Sequence, residues 1–143
     1  MQLPRLRFSR RQMIVALAIA SMLLAVFVAY PAWNQRRMER KQRHMLGIVQ
    51  VWGRLAPVPE SAEGLKVATE GGMFTRAFRV SFSDSMPEID RWLNESPGTH
   101  EAKPERPTPG TRRYLIRPGG GAQHAEVTID DASGLVSIYV YWS

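Results

Sequence analysis

From Met13 to Tyr30 the chain reads MIVALAIASMLLAVFVAY, eighteen residues among which only Ser21 and Tyr30 carry polar side-chain atoms. As a helix this stretch rises roughly 27 Å, and Pro31, Ala32 and Trp33 extend it to about the 30 Å of a hydrocarbon core. Lipid offers the backbone no hydrogen-bond partners, so the segment is expected to be helical. A helix apolar on every face needs cover on every face, which the rest of so short a chain does not supply. A cleaved signal peptide shares the charged start, but its apolar stretch usually runs about 7–15 residues. Small residues at the cleavage positions are also missing around VFVAYPAW. The segment is read as an uncleaved anchor, with a secreted domain released by cleavage as the alternative.

The flanks carry the residues expected at the membrane interface. Arg10 and Arg11 precede the span, and Tyr30, Trp33, Arg36 and Arg37 follow it. Phe8 on one side, with Tyr30 and Trp33 on the other, sits where an aromatic belt forms. Four arginines stand before the apolar run and five basic residues follow it within fifteen positions, so positive charge orients the span weakly. The expectation is a short basic cytoplasmic tail, residues 1–12, with the C-terminal domain outside the cytoplasm, in a bacterial inner membrane.

Charge distribution then decides against nucleic acid. The net charge of +6 is not spread evenly. Residues 1–56 hold ten basic residues against one acid, net +9, while residues 57–143 hold nine against twelve, net −3. A nucleic-acid binder needs its positive charge on the folded surface that meets phosphate, and here that part of the chain is mildly acidic. The expected partners are the lipid bilayer and another protein, with no nucleic acid and no cofactor. There are no cysteines, which excludes disulfides, thiolate metal sites and cysteine catalysis.

After the anchor, 13–33, the pattern divides again. Pro31 is expected to end or kink the first helix, and Asn34 to cap a second. That juxtamembrane helix, 34–56, is charged in its first half (QRRMERKQRH) and apolar in its second (MLGIVQVWGRL). Met38, Met45, Val49 and Trp52 recur at helical spacing. The basic half is expected to meet anionic headgroups, and the apolar half to dock on its own domain or, alternatively, on another subunit.

The domain, 57–143, reads as α+β. Leu65 to Thr69 is a short strand turned by Glu70-Gly71-Gly72. In Met73 to Ser83, Phe74, Phe78, Val80 and Phe82 alternate with Thr75, Arg79, Ser81 and Ser83. Ser85-Met86-Pro87-Glu88 has the form of a capping box, opening a helix that bears Met86, Ile89, Trp92 and Leu93 on one face. Residues 99–111 form a proline-containing loop. Arg112 to Arg117, then Ala125, Val127 and Ile129, then Leu135 to Trp142 are strands, the last two joined at Asp130-Asp131-Ala132-Ser133-Gly134. The predicted order is β-β-α-β-β-β, an antiparallel sheet packed by one helix. The layout of an apolar helix leading to a sheet resembles that of pilin-like proteins. It lacks their Gly-Phe-x-x-x-Glu processing start, and nothing is carried over.

No catalytic constellation emerges. His44, His100 and His124 have neither Cys partners nor mutual spacing for zinc. Pro118-Gly119-Gly120-Gly121 joins two strands, where a phosphate loop needs strand–loop–helix context. Asp130 and Asp131 lack EF-hand spacing, and no serine stands in Gly-x-Ser-x-Gly. A membrane-tethered hydrolase is the alternative reading. The preferred one is a membrane-anchored binding or accessory module. Its candidate contact residues are Tyr139 and Tyr141, which the alternation of the last strand puts opposite Val136, Ile138, Val140 and Trp142.

Overall fold

The computed structural model describes residues 10–72 and 74–143, without the side chains of Gln12 and of 31–36. Phe8 lies outside the described residues, and so do the side chains of Trp33 and Arg36. The chain divides into two compact units, Met1–Lys41 and Gln42–Ser143.

The described residues of the first unit are helical. Helix α1 runs over Arg10–Gly53 and so continues into the second unit. Met13–Tyr30 is long and apolar enough to cross a membrane, and none of it is buried against protein. That is the composition of a membrane anchor or of a signal sequence, and the opposite of a core helix. Its one internal polar side chain is satisfied locally, the Ser21 hydroxyl donating to the Leu17 carbonyl at 2.7 Å. The break expected at Pro31 is absent, and Asn34 lies inside the helix instead of at its start. A proline removes one N–H and crowds one carbonyl, a local loss that a helix with no competing partner for its other backbone groups survives.

In the second unit six strands form one sheet, all neighbours antiparallel, in the order β1-β2-β6-β5-β4-β3. The strands are β1 (Glu63–Glu70), β2 (Arg76–Ser83), β3 (Pro104–Glu105), β4 (Thr111–Ile116), β5 (His124–Asp130) and β6 (Leu135–Trp142). Between β2 and β3 come α2 (Met86–Glu95) and the short α3 (Pro97–Glu101). The loop expected at 99–111 thus holds the end of α3 and a two-residue edge strand.

Register sorts the strand residues into two faces. Phe78, Val140, Ala125 and Ile116 are aligned across β2, β6, β5 and β4, and Val80, Ile138, Val127 and Tyr114 form the next row. All eight are buried, with Phe82, Val136 and Ile129 in a third row. Onto this face pack Ile89, Trp92 and Leu93 of α2, and Val49 of α1 with Leu55 just past its end. Two edge-to-face aromatic pairs lock the layers, Trp52 with Phe78 at 5.4 Å and Phe82 with Trp92 at 5.5 Å. The apolar half of the juxtamembrane helix therefore docks on its own domain.

The end of α1 is stitched to the sheet through backbone. Arg54 has φ 51°, and the Leu55 amide closes back on the Gln50 carbonyl at 2.9 Å, a Schellman-type termination. Two further carbonyls at this end accept from elsewhere in the fold. Gly119 N–H donates to the Trp52 carbonyl at 2.8 Å and Gly98 N–H to the Arg54 carbonyl at 2.9 Å. A Cβ on Gly98 would lie 2.3 Å from the Gly53 carbonyl oxygen, so this approach requires glycine. The Pro118–Gly121 turn is accordingly a seat for the helix end.

Two expectations are corrected in detail. Ser85 occupies the N-cap of α2 but its side chain makes no capping bond. The carboxylate of Asp84 receives the Ser85 amide at 2.7 Å, the bond a capping box assigns to Glu88, and Glu88 pairs with Arg91. Phe74 and Trp142 leave the apolar rows, at 78% and 40% exposure. Phe74 precedes the first residue of β2, and Trp142 ends β6, so neither has a row beyond it to pack against.

Candidate interaction surface

The second face of the sheet is built by the residues that alternate with the core. From β1 to β4 one row reads Ala68, Arg79, Tyr139, Glu126 and Leu115; the next reads Lys66, Ser81, Ser137, Thr128 and Arg113. Above them Ala77, Tyr141 and His124 are aligned. The helical residues that join the core pack with the opposite face, and these side chains are half-buried or exposed, apart from the small Ala77.

Tyr139 sits at the middle. Arg79 lies over its ring at 4.9 Å from the centroid, and the His124 ring is 5.9 Å away and tilted by 54°. Arg79 is held in turn by Glu70 at 3.0 Å, and His124 Nε2 stands 3.4 Å from Glu126. Next to this cluster is a shallow depression of about 410 Å³, bordered by Arg79, Ser81, Glu126, Thr128, Ser137 and Tyr139. Its rim mixes one cation, one carboxylate, three hydroxyls and an aromatic ring. That combination offers hydrogen bonds in both directions and one flat apolar element. On the far side, Arg113 is 2.7 Å from Glu105, and this pairing raises the guanidinium pKa further above its ordinary value.

Of the residues singled out by sequence, Tyr139 and Tyr141 share this face and both are half-buried. Their neighbours Arg79, Glu126, Ser81, Thr128 and Ser137 were not singled out. Alternation alone marks each as facing away from the core, but only strand register brings them together, and register is not written in any one strand. Arg10 and Arg11 are exposed at the start of α1, Tyr30 is 63% exposed at the end of the apolar run, and Arg37 is exposed beyond it. His44, His100 and His124 lie on α1, α3 and β5; among the described residues no group of three His, Asp or Glu is placed to hold a metal ion.

Away from this face two further charged clusters brace the fold. Arg112 reaches Asp90 of α2 at 2.9 Å and Asp131 of the β5–β6 turn at 2.6 Å. Its burial opposes the charge, and the two carboxylates outweigh that opposition, so its pKa is raised. Arg54 makes a two-pronged pair with Glu101 at 2.7 Å, which lowers the glutamate pKa through the hydrogen bond first.

No family model matches the chain, and neither curated proteins nor solved structures give a match.

Proposed function

We propose that this is a single-pass membrane protein whose C-terminal α+β domain is a protein-binding module, an accessory subunit of a membrane or envelope complex. The observation that carries the reading is the sheet face around Tyr139, left outside the helix-packed core and furnished with an arginine, a carboxylate, hydroxyls and a tyrosine. Tyrosine and arginine are, with tryptophan, the side chains enriched among the residues that dominate protein interfaces, and here they are already stacked on each other, with Arg79 held by Glu70. Pre-ordered side chains lose less conformational freedom on binding. The apolar stretch Met13–Tyr30, bracketed by arginines, supports the anchor. The short basic tail is read as cytoplasmic, with the domain outside, in a bacterial inner membrane.

Solubilisation of membranes in mild detergent, followed by purification of the full chain and mass spectrometry, tests the reading. A stoichiometric partner is expected with the native chain, and its loss with Tyr139→Ala or Arg79→Glu. Both positions lie off the core, so the folded signal in circular dichroism should stay. Recovery of the native chain alone, or a partner indifferent to both substitutions, would overturn it.

A further inference from the structure

We infer that β1 is a pairing edge for a second copy of this chain, joined antiparallel about Ala68 so that Lys66 of each copy faces Glu70 of the other. The two edges of the sheet are unequal. One is closed by β3, only two residues long, carrying Pro104 and followed by Pro107 and Pro109, the short proline-bearing edge that resists pairing. The other is β1, eight residues without proline, paired within the sheet to β2 alone. A strand at an edge presents a row of N–H and C=O groups with no sheet partner.

A bulge interrupts β1 only near its start, between Glu63 and Lys66, where Gly64 takes φ +63°. From Lys66 to Glu70 the register with β2 is unbroken, so these five residues form a straight template. A lysine in an edge strand ordinarily discourages pairing. Here Glu70 lies four residues on, on the same face, and a two-fold axis through Ala68 sets Lys66 opposite Glu70 twice over. The same register places Val67 opposite Thr69 on the other face. Opposite charges directly across a strand pair stabilise it, and like charges destabilise it. Lys66, Ala68 and Glu70 are all exposed, and Ala68 at the axis is small enough for two strands to close without collision. Glu70 is already oriented by Arg79 at 3.0 Å. No other offset within Lys66–Glu70 pairs both charges with their opposites, so the occupant that fits is the strand's own copy.

Sedimentation of the full-length chain in detergent micelles is expected to show a dimer. Lys66→Glu, which sets two carboxylates against each other at both ends of the paired segment, should weaken it roughly tenfold or more. The double variant Lys66→Glu with Glu70→Lys should restore it, although Arg79 loses its partner. Because the chain has no cysteine, Ala68→Cys supplies an independent readout. Residues opposite each other across the axis are within disulfide range, so mild oxidation should link the copies at this position and not at Ser137→Cys in the middle of the sheet. A monomer at all concentrations, a dimer unaffected by Lys66→Glu, or equal crosslinking at both cysteines would overturn the inference. Tyr139→Ala leaves this edge untouched, so loss of the partner proposed above and loss of the dimer are separable.

Discussion

Single residues in this domain are chosen for what they do to backbone groups, and Ala56 shows it. Its amide donates to the buried Ser96 hydroxyl at 2.9 Å, and its carbonyl accepts from Trp92 Nε1 at 3.1 Å. Both of its polar groups are thereby satisfied where the chain leaves the α1 terminus. Asp130 is the counterpart in the β5–β6 turn. The Ser133 hydroxyl donates to it at 2.7 Å and the Ala132 amide at 3.0 Å, and these bonds, the Ser133 one foremost, lower its pKa. A carboxyl with a lowered folded pKa contributes stability that is present above its unfolded value and is lost as pH falls through the folded value. Ser133→Ala should therefore raise the Asp130 titration midpoint toward the ordinary aspartate range, read by NMR, and make the turn less sensitive to acid. The Ser85 side chain at the start of α2 was legible as a cap and is not used as one. Asp84, one residue earlier, accepts the Ser85 amide that Glu88 would take in a capping box, and Glu88 turns to Arg91 instead.

At the level of elements, what could be read from the chain was whatever repeats. Period-two alternation marked β2, β5 and β6, because each buries one face only and every second residue must be apolar. The face of α2 was equally plain in Ile89, Trp92 and Leu93. The short α3 and β3 were not legible, since five and two residues display no period and Pro97 and Pro104 read as loop. The candidate surface was half legible. Tyr139 and Tyr141 stood out by type, while the neighbours around them depended on pairing between strands far apart in sequence. The α2 helix also ties the segment that follows α1 to the sheet, and Trp92 is the joint. Trp92→Phe keeps an aromatic ring against Phe82 but removes the donor to Ala56. It should cost about 2 kcal/mol, or roughly 10 °C in Tm, measured by thermal unfolding.

Over the whole chain the partition of charge and apolar surface is sharper than the partition of secondary structure. The helix α1 belongs to both units: its first half is uncovered by protein, and its last turns deliver Val49 and, just beyond, Leu55 to the core of the second. A fragment beginning at Pro57 loses these residues and the partners of Ser96, Trp92 and Gly119. It is expected to be insoluble or to lack dispersed NMR signals, while a fragment from Gln42 should fold, as amide dispersion would show. The same fact governs how this molecule could ever be freed by a protease. A cut between Met45 and Ala56 would sever the helix from the sheet it completes and leave an unfolding remnant, so an intact released domain must carry a stub of α1, cut among the arginines that follow the apolar run.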